Sequence, residues 1–66
     1  MPTFNEKVMR NLVKKDRYLT FVFNDLLKRN ENISEKNVLE VIFNSNIIED
    51  SSLELIYITE FQNVNK

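Results

Sequence analysis

The side chains able to carry acid–base chemistry in this 66-residue chain are carboxylates, lysines and tyrosines, because it contains neither His nor Cys. Those two residue types supply most general bases, thiolate nucleophiles and transition-metal ligands. Ser51 and Ser52 have no base in the sequence to activate them, and a chain without glycine cannot form a Gly-rich phosphate loop. We therefore expect a protein that is not an enzyme and that binds no cofactor, metal or small molecule.

One group of carboxylates could be interpreted as a cation site. Glu49, Asp50 and Glu54 lie close together in the sequence, around a predicted turn. Calcium takes about 6–8 oxygen ligands, and both the EF-hand spacing and its glycine are absent. A solvated acidic turn is therefore the favoured interpretation.

The charged residues are distributed unevenly along a chain of net charge −1. Residues 1–30 hold seven Lys or Arg and three Asp or Glu, a net charge of +4, whereas residues 31–66 hold two and seven, a net charge of −5. The basic residues of the first half are the candidate nucleic-acid-binding face: Lys7, Arg10, Lys14, Lys15, Arg17, Lys28 and Arg29. The favoured alternative is that the two halves attract one another within the fold.

Helical periodicity dominates the first two thirds of the chain. Apolar residues recur at spacings typical of one helix face, and the pattern predicts helices at about 4–15, 17–29 and 34–44. Residues 18–23 are also rich in strand-forming side chains. A strand at 18–23 is therefore the main alternative to the second helix.

Helix-capping residues support these boundaries. Thr3 and Glu6 have the spacing of a capping box, in which each side chain accepts from the other residue's amide. Asp16 could cap the second helix, or helices one and two could form a single rod, and Ser34 is a good N-cap for the third.

The pattern changes near the C-terminus. Residues 46–49 and 53–61 are rich in β-branched and aromatic side chains, separated by the Asp-Ser-Ser sequence at 50–52, and together they predict a β-hairpin. We therefore predict one α+β domain spanning 1–66, with three helices packed on a C-terminal two-stranded antiparallel hairpin. A mostly α fold is the alternative.

The aromatic residues suggest a surface that binds a protein. Seven Phe and Tyr are many for so small a core, and interface cores favour such residues. Phe21, Tyr57 and Phe61 are the candidate partner-binding residues, the last two on a strand edge that could pair with another sheet. That all of these aromatics pack internally is an equally good interpretation.

Size and composition add further expectations. A chain this short buries only about 60% of its unfolded surface, so a protein partner or a second copy could stabilise it. Neither a membrane-spanning segment nor a secretory signal is evident, which favours an intracellular, cytoplasmic protein by default. The Asn-, Ile- and Lys-rich composition fits an AT-rich genome such as that of a low-GC bacterium, one of its phages or a large virus.

Two functions follow from these observations. The first is a small regulatory protein that binds and modulates or inhibits a larger protein. The alternative is a winged-helix-like DNA-binding regulator, in which the third helix reads the groove and the hairpin is the wing. Against that alternative, the third helix carries few groove-reading side chains and the predicted wing tip is acidic where phosphate contact needs Lys or Arg.

Overall fold

The computed structural model describes residues 3–49 and 51–64, and within them the chain forms helices and no strand. In chain order the helices are α1 (Glu6–Lys15), α2 (Arg17–Arg29), α3 (Glu35–Asn44) and α4 (Ser51–Val64), with a short 3₁₀ helix, Asn46–Glu49, before α4. The predicted helix bounds differ from those of α1–α3 by at most two residues. The predicted α+β fold class is wrong, because the described chain is all-helical.

The predicted hairpin at about 46–49 and 53–61 is replaced by the 3₁₀ helix and α4. The buried Glu60 lies on the same side of α4 as its buried and half-buried apolar side chains, which recur at helical spacing: Leu53, Ile56, Tyr57, Phe61 and Val64. β-Branched residues fit this helix because strand propensity depends strongly on context. Thr59, for example, donates its hydroxyl to the Leu55 carbonyl at 2.9 Å. Asp50, in the predicted turn, lies outside the described residues.

The N-terminus of α1 is capped by Asn5, and the predicted capping box of Thr3 and Glu6 is wrong. The Asn5 side chain accepts a hydrogen bond from the Val8 amide at 3.1 Å. Asn caps a helix as well as Thr does. Thr3 makes a different contact, since its carbonyl accepts a hydrogen bond from the hydroxyl of Tyr57 at 2.7 Å.

Asp16 separates α1 from α2, so the two helices do not form one rod. Its amide donates to the Leu12 carbonyl at 3.2 Å and ends α1. Its carboxylate accepts from the Leu19 amide at 2.9 Å and begins α2. Residues 18–23 lie within α2 and are helical, because their apolar side chains also have the spacing of a helix face.

Ser34 caps α3 as predicted, with its hydroxyl accepting from the Asn37 amide at 3.2 Å. Ile33 and Val38, on either side of this cap, both belong to the hydrophobic core. Their positions are those of a hydrophobic staple, which fixes the direction in which the chain enters the helix. At the other end, the Ser45 hydroxyl donates to the Ile42 carbonyl at 2.6 Å.

The central helix of the fold is α1, which contacts α2, α3 and α4. Among the described residues α2 also contacts α3 but not α4, so the outer face of α2 is not covered by α4. The buried apolar core draws on every helix: Val8, Met9, Leu12, Val13, Leu19, Val38, Leu39, Ile42, Phe43, Ile48 and Tyr57. Burying such side chains contributes about 1.5–3 kcal/mol each for the larger ones before the entropy of folding is counted.

Candidate functional site

Two aromatic side chains project into solvent from α2. Tyr18 is 60% exposed and Phe21 is 68% exposed. They are three residues apart in the helix and are therefore neighbours on its surface. Single exposed apolar residues are common on soluble proteins, whereas two adjacent exposed aromatics resemble the anchors of protein interfaces.

A groove of about 290 Å³ lies between α1, α2 and α3. Its apolar lining comes from the core, and its polar lining comes from the exposed edges of α1 and α2. The lining residues are Arg10, Val13, Lys14, Thr20, Phe23, Asn24 and Leu39. The Thr20 hydroxyl is already hydrogen-bonded to the Val13 and Asp16 carbonyls at 2.5 and 3.0 Å. Asn24 and Lys14 are therefore the lining residues best placed to bond a ligand.

A second, shallower depression of about 240 Å³ lies on the exposed face of α2. Phe21, Asn24, Asp25 and Lys28 line it. Asn24 lines both depressions, so the groove and the exposed aromatic face form one continuous surface. This surface, made by the groove and the outer face of α2, is hereafter called the α2 surface.

Arg10 at the rim of the groove is held by two carboxylates. Its guanidinium bonds Glu35 of α3 at 2.5 Å and Glu6, one turn earlier, at 3.1 Å. The hydrogen bond to Glu35, followed by that to Glu6, raises the pKa of Arg10 above its ordinary value. The charge of Arg10 is thus largely balanced within the fold.

Two further residues of the predicted nucleic-acid face are also paired. Lys15 contacts the carboxylate of Glu60 in α4, and Arg29 contacts Asp25 in its own helix at 3.1 Å. The others are exposed and make no ion pair within the described part of the chain: Lys7, Lys14, Arg17 and Lys28. Carboxylates are therefore interspersed among the basic residues, which weakens the continuous positive field that a nucleic acid requires.

The other two predicted partner-binding residues lie away from the α2 surface. Tyr57 is fully buried, with its ring centroid 5.5 Å from that of Phe43. Its hydroxyl donates to the Thr3 carbonyl and accepts from the Asn5 amide at 3.0 Å. Phe61 is half-buried and packs against the core. The helical form of α4 turns both rings inward, so neither lies on an exposed strand edge.

Sequence analysis did not identify Tyr18 or Asn24 as binding residues. The signal for Tyr18 was present, because it lies one helical turn before Phe21 on the same side of the predicted helix. Asn24 belongs to the polar stripe of that helix. Its place between two depressions depends on the packing of α1 and α3 against α2, which no local pattern contains.

Two other properties of the described chain bear on function. None of its helices combines the length and apolar content that a membrane span requires. Within residues 3–49 and 51–64, no three Asp or Glu side chains come close enough together to hold a metal ion. Asp50, part of the acidic turn considered from the sequence, lies outside those residues.

Comparison with known proteins identifies no relative. No protein-family model, curated protein or solved structure matches this chain. Its function is therefore inferred from its own side chains and their arrangement.

Proposed function

We propose that this chain is a small, non-enzymatic regulatory protein that binds a larger protein through the α2 surface and modulates or inhibits it. The observation that supports this most directly is the pair of exposed aromatics on α2, Tyr18 and Phe21, together with two depressions that share Asn24, one of which Phe21 lines. Aromatic side chains with an adjoining apolar depression are typical of the central, energetically dominant part of protein interfaces.

The strand edge that was expected to share in partner binding is absent, because residues 53–61 are helical and Tyr57 is in the core. On α2, which contacts α1 and α3 among the described helices, the outer face carries the two exposed aromatics. An intracellular location and a viral or phage origin remain predictions from the sequence.

Direct nucleic-acid binding is the less favoured class of function. The winged-helix alternative required a hairpin after the third helix, and α4 takes that place. Arg10, Lys15 and Arg29 are each paired with a carboxylate. Nucleic-acid binding is accordingly an alternative outcome of the experiment that tests the proposal.

The test is affinity capture from a nuclease-treated lysate of the source cells, with three full-length baits: wild type, Phe21→Ser and Val41→Ser. Val41 is a matched control, because it is also an apolar residue, 51% exposed, but lies on α3 outside both depressions. We expect wild type and Val41→Ser to retain the same protein, and Phe21→Ser to retain at least about tenfold less, since anchor residues dominate interface energies.

Two results would contradict the proposal. Equal retention by Phe21→Ser and Val41→Ser would remove the α2 surface as the binding site. Loss of all captured proteins on nuclease treatment, with nucleic acid in the untreated eluate, would support nucleic-acid binding instead. Far-UV circular dichroism of each bait establishes that the helical fold is retained.

A further inference from the structure

The floor of the groove is apolar and accessible from one side. Val13 of α1, Phe23 of α2 and Leu39 of α3 contribute to it. Its volume of about 290 Å³ is at the lower limit of small-molecule pockets, which measure about 300–1,000 Å³. The groove therefore has room for one large apolar side chain of a partner.

One of the two cations that line the groove has no carboxylate partner among the described residues. Arg10 is occupied by Glu6 and Glu35, whereas Lys14, one turn further along α1, is exposed and makes no ion pair within the described residues. The amide of Asn24 lies on the α2 side of the same groove. A ligand with a carboxylate near its apolar group would find an available cation and an amide donor here.

A second available cation lies at the far side of the α2 surface. Lys28 lines the shallow depression with Phe21 and Asn24, and it too makes no ion pair among the described residues. Lys14 thus lines one depression and Lys28 the other, and Asn24 is common to both. The α2 surface therefore combines an apolar groove with a lysine, a shared side-chain amide, and an exposed aromatic with a second lysine.

We propose that the α2 surface receives an acidic amphipathic segment of the partner protein. This inference rests on the proposed function and specifies the chemistry of the partner. One large apolar side chain of the segment fills the groove over Val13, Phe23 and Leu39. Carboxylates on either side of that residue meet Lys14 and Lys28, because complementary charge across an interface fixes both register and partner choice.

An acidic protein segment fits this surface better than a nucleic acid does. Glu6 and Glu35 lie beside Arg10 at the groove, and Asp25 lines the second depression. These carboxylates pair with Arg10 and Arg29 and so interrupt the positive surface that a continuous phosphate backbone would need, whereas a segment with a few spaced acidic residues can place its charges at Lys14 and Lys28 alone. A purely apolar ligand would form no ion pair with either lysine.

The test is selection from a displayed library of random 16-residue peptides against the immobilised full-length protein. We expect the enriched peptides to share a Leu, Ile, Phe or Trp flanked by Asp or Glu. Binding of a synthesised winner, followed by fluorescence anisotropy, should weaken as salt is raised, since exposed charge pairs are screened. In ¹⁵N-labelled protein, its amide shift changes should centre on α1 and α2 around Lys14 and Asn24.

Variants test the charge assignment without disturbing the core. Lys14→Glu and Lys28→Glu should each weaken the winning peptide about tenfold, because they place like charges opposite one another. Asn24→Asp, which conserves shape, should weaken it by a similar factor. Lys36→Glu is the control: Lys36 is exposed on α3, makes no ion pair among the described residues and lines neither depression, so binding should be unchanged.

Other outcomes would overturn the inference. Enriched peptides without acidic residues, no enrichment at all, or equal binding by Lys14→Glu and Lys36→Glu would exclude an acidic segment. A dimer in sedimentation velocity that Lys14→Glu dissociates would identify a second copy of the chain as the occupant. If an acidic segment is excluded but a cellular protein is still captured in a Phe21-dependent way, the proposed function stands and only this inference fails. Failure of the inference is therefore distinguishable from failure of the proposed function.

Discussion

The side chain of Tyr57 connects α4 to the residues that precede α1. It is fully buried, and its hydroxyl lies between the Thr3 carbonyl and the Asn5 amide, which precede α1. Phe43 stands between it and Phe4, with both ring centroid distances equal to 5.5 Å. An aromatic side chain with a polar end can therefore fill the core and also satisfy backbone groups beside a helix cap.

Removing only the hydroxyl tests this role. Tyr57→Phe keeps the ring but leaves the Thr3 carbonyl and the Asn5 amide without their partner, and it should lower the free energy of unfolding by about 1–2 kcal/mol. Tyr18→Phe is the control, since Tyr18 is mostly exposed and should change stability by less than about 0.5 kcal/mol. Urea denaturation measures both, and equal effects would contradict a structural role for the Tyr57 hydroxyl.

The same hydroxyl predicts a dependence of stability on alkaline pH. Burial raises the pKa of Tyr57 above its ordinary value of 10.0, and the hydrogen bond from the Asn5 amide opposes this only in part. The unfolded chain then loses its proton before the folded one does. The stability from this group is therefore complete below pH 10 and is lost as pH rises through the folded pKa.

Thermal melts between pH 8.5 and 11.5 measure that dependence. Wild type and Tyr18→Phe should both lose melting temperature above pH 10, and Tyr57→Phe should lose it less steeply, because it lacks the buried hydroxyl that ionises more readily in the unfolded chain. Parallel curves for wild type and Tyr57→Phe would show that Tyr57 ionises equally in the folded and unfolded chains.

At the scale of the elements, the junction between α1 and α2 depends on one residue. Asp16 ends α1 through its amide and begins α2 through its carboxylate, with only this residue between the helices. The direction of α2, and so the position of Tyr18 and Phe21, follows from this short junction. A continuous rod would separate α2 from α1 and remove the groove between them.

Asp16→Ala removes the carboxylate cap and should cost about 1 kcal/mol of stability. Asp25→Ala makes the same chemical change inside α2, but it removes only a surface pair with Arg29, worth about 0.5 kcal/mol or less. Chemical denaturation followed at 222 nm compares the two variants. If Asp25→Ala destabilises the protein as much as Asp16→Ala, the cap is not what separates the helices.

At the scale of the whole molecule, the basic first half and the acidic second half are joined by ion pairs. Arg10 bonds Glu35 of α3, and Lys15 contacts Glu60 of α4. Glu60 is only 5% exposed, so without Lys15 its carboxylate would be buried with no counter-charge. The uneven charge along the chain is thus partly balanced by α1, which holds the other helices together.

Lys15→Met should therefore destabilise the protein by about 1–3 kcal/mol, because it leaves the Glu60 carboxylate buried without a counter-charge. Lys14→Met is the neighbouring control, exposed and without an ion pair among the described residues, and should be nearly neutral. Adding Glu60→Gln to Lys15→Met should recover part of the loss. Equal stability of the two lysine variants would show that Glu60 is stable without Lys15.

The parts of the fold that could be predicted from the sequence are those determined by residues close together in the chain. The bounds of α1–α3 were close to correct because apolar spacing and the caps Asp16 and Ser34 act within one or two turns. The α1 cap was misassigned because Thr3 and Asn5 are both good caps. The hydrogen bonds that Thr3 and Asn5 make with Tyr57 join residues more than fifty positions apart, so no local pattern could indicate them. Of the candidate binding residues, Phe21 could be placed at the surface from its position on the helix, but Tyr57 could not be placed in the core.

The sequence by itself determined three amphipathic helices, the caps of the second and third, and a set of side chains without His or Cys, because these depend on residue type and near neighbours. Only the tertiary structure decided that residues 53–61 are helical, since their β-branched and aromatic residues suit either state locally and burial of one face against α1 favours the helix. It also decided which cations are paired and that α2 keeps an open groove, because both depend on residues far apart in the chain.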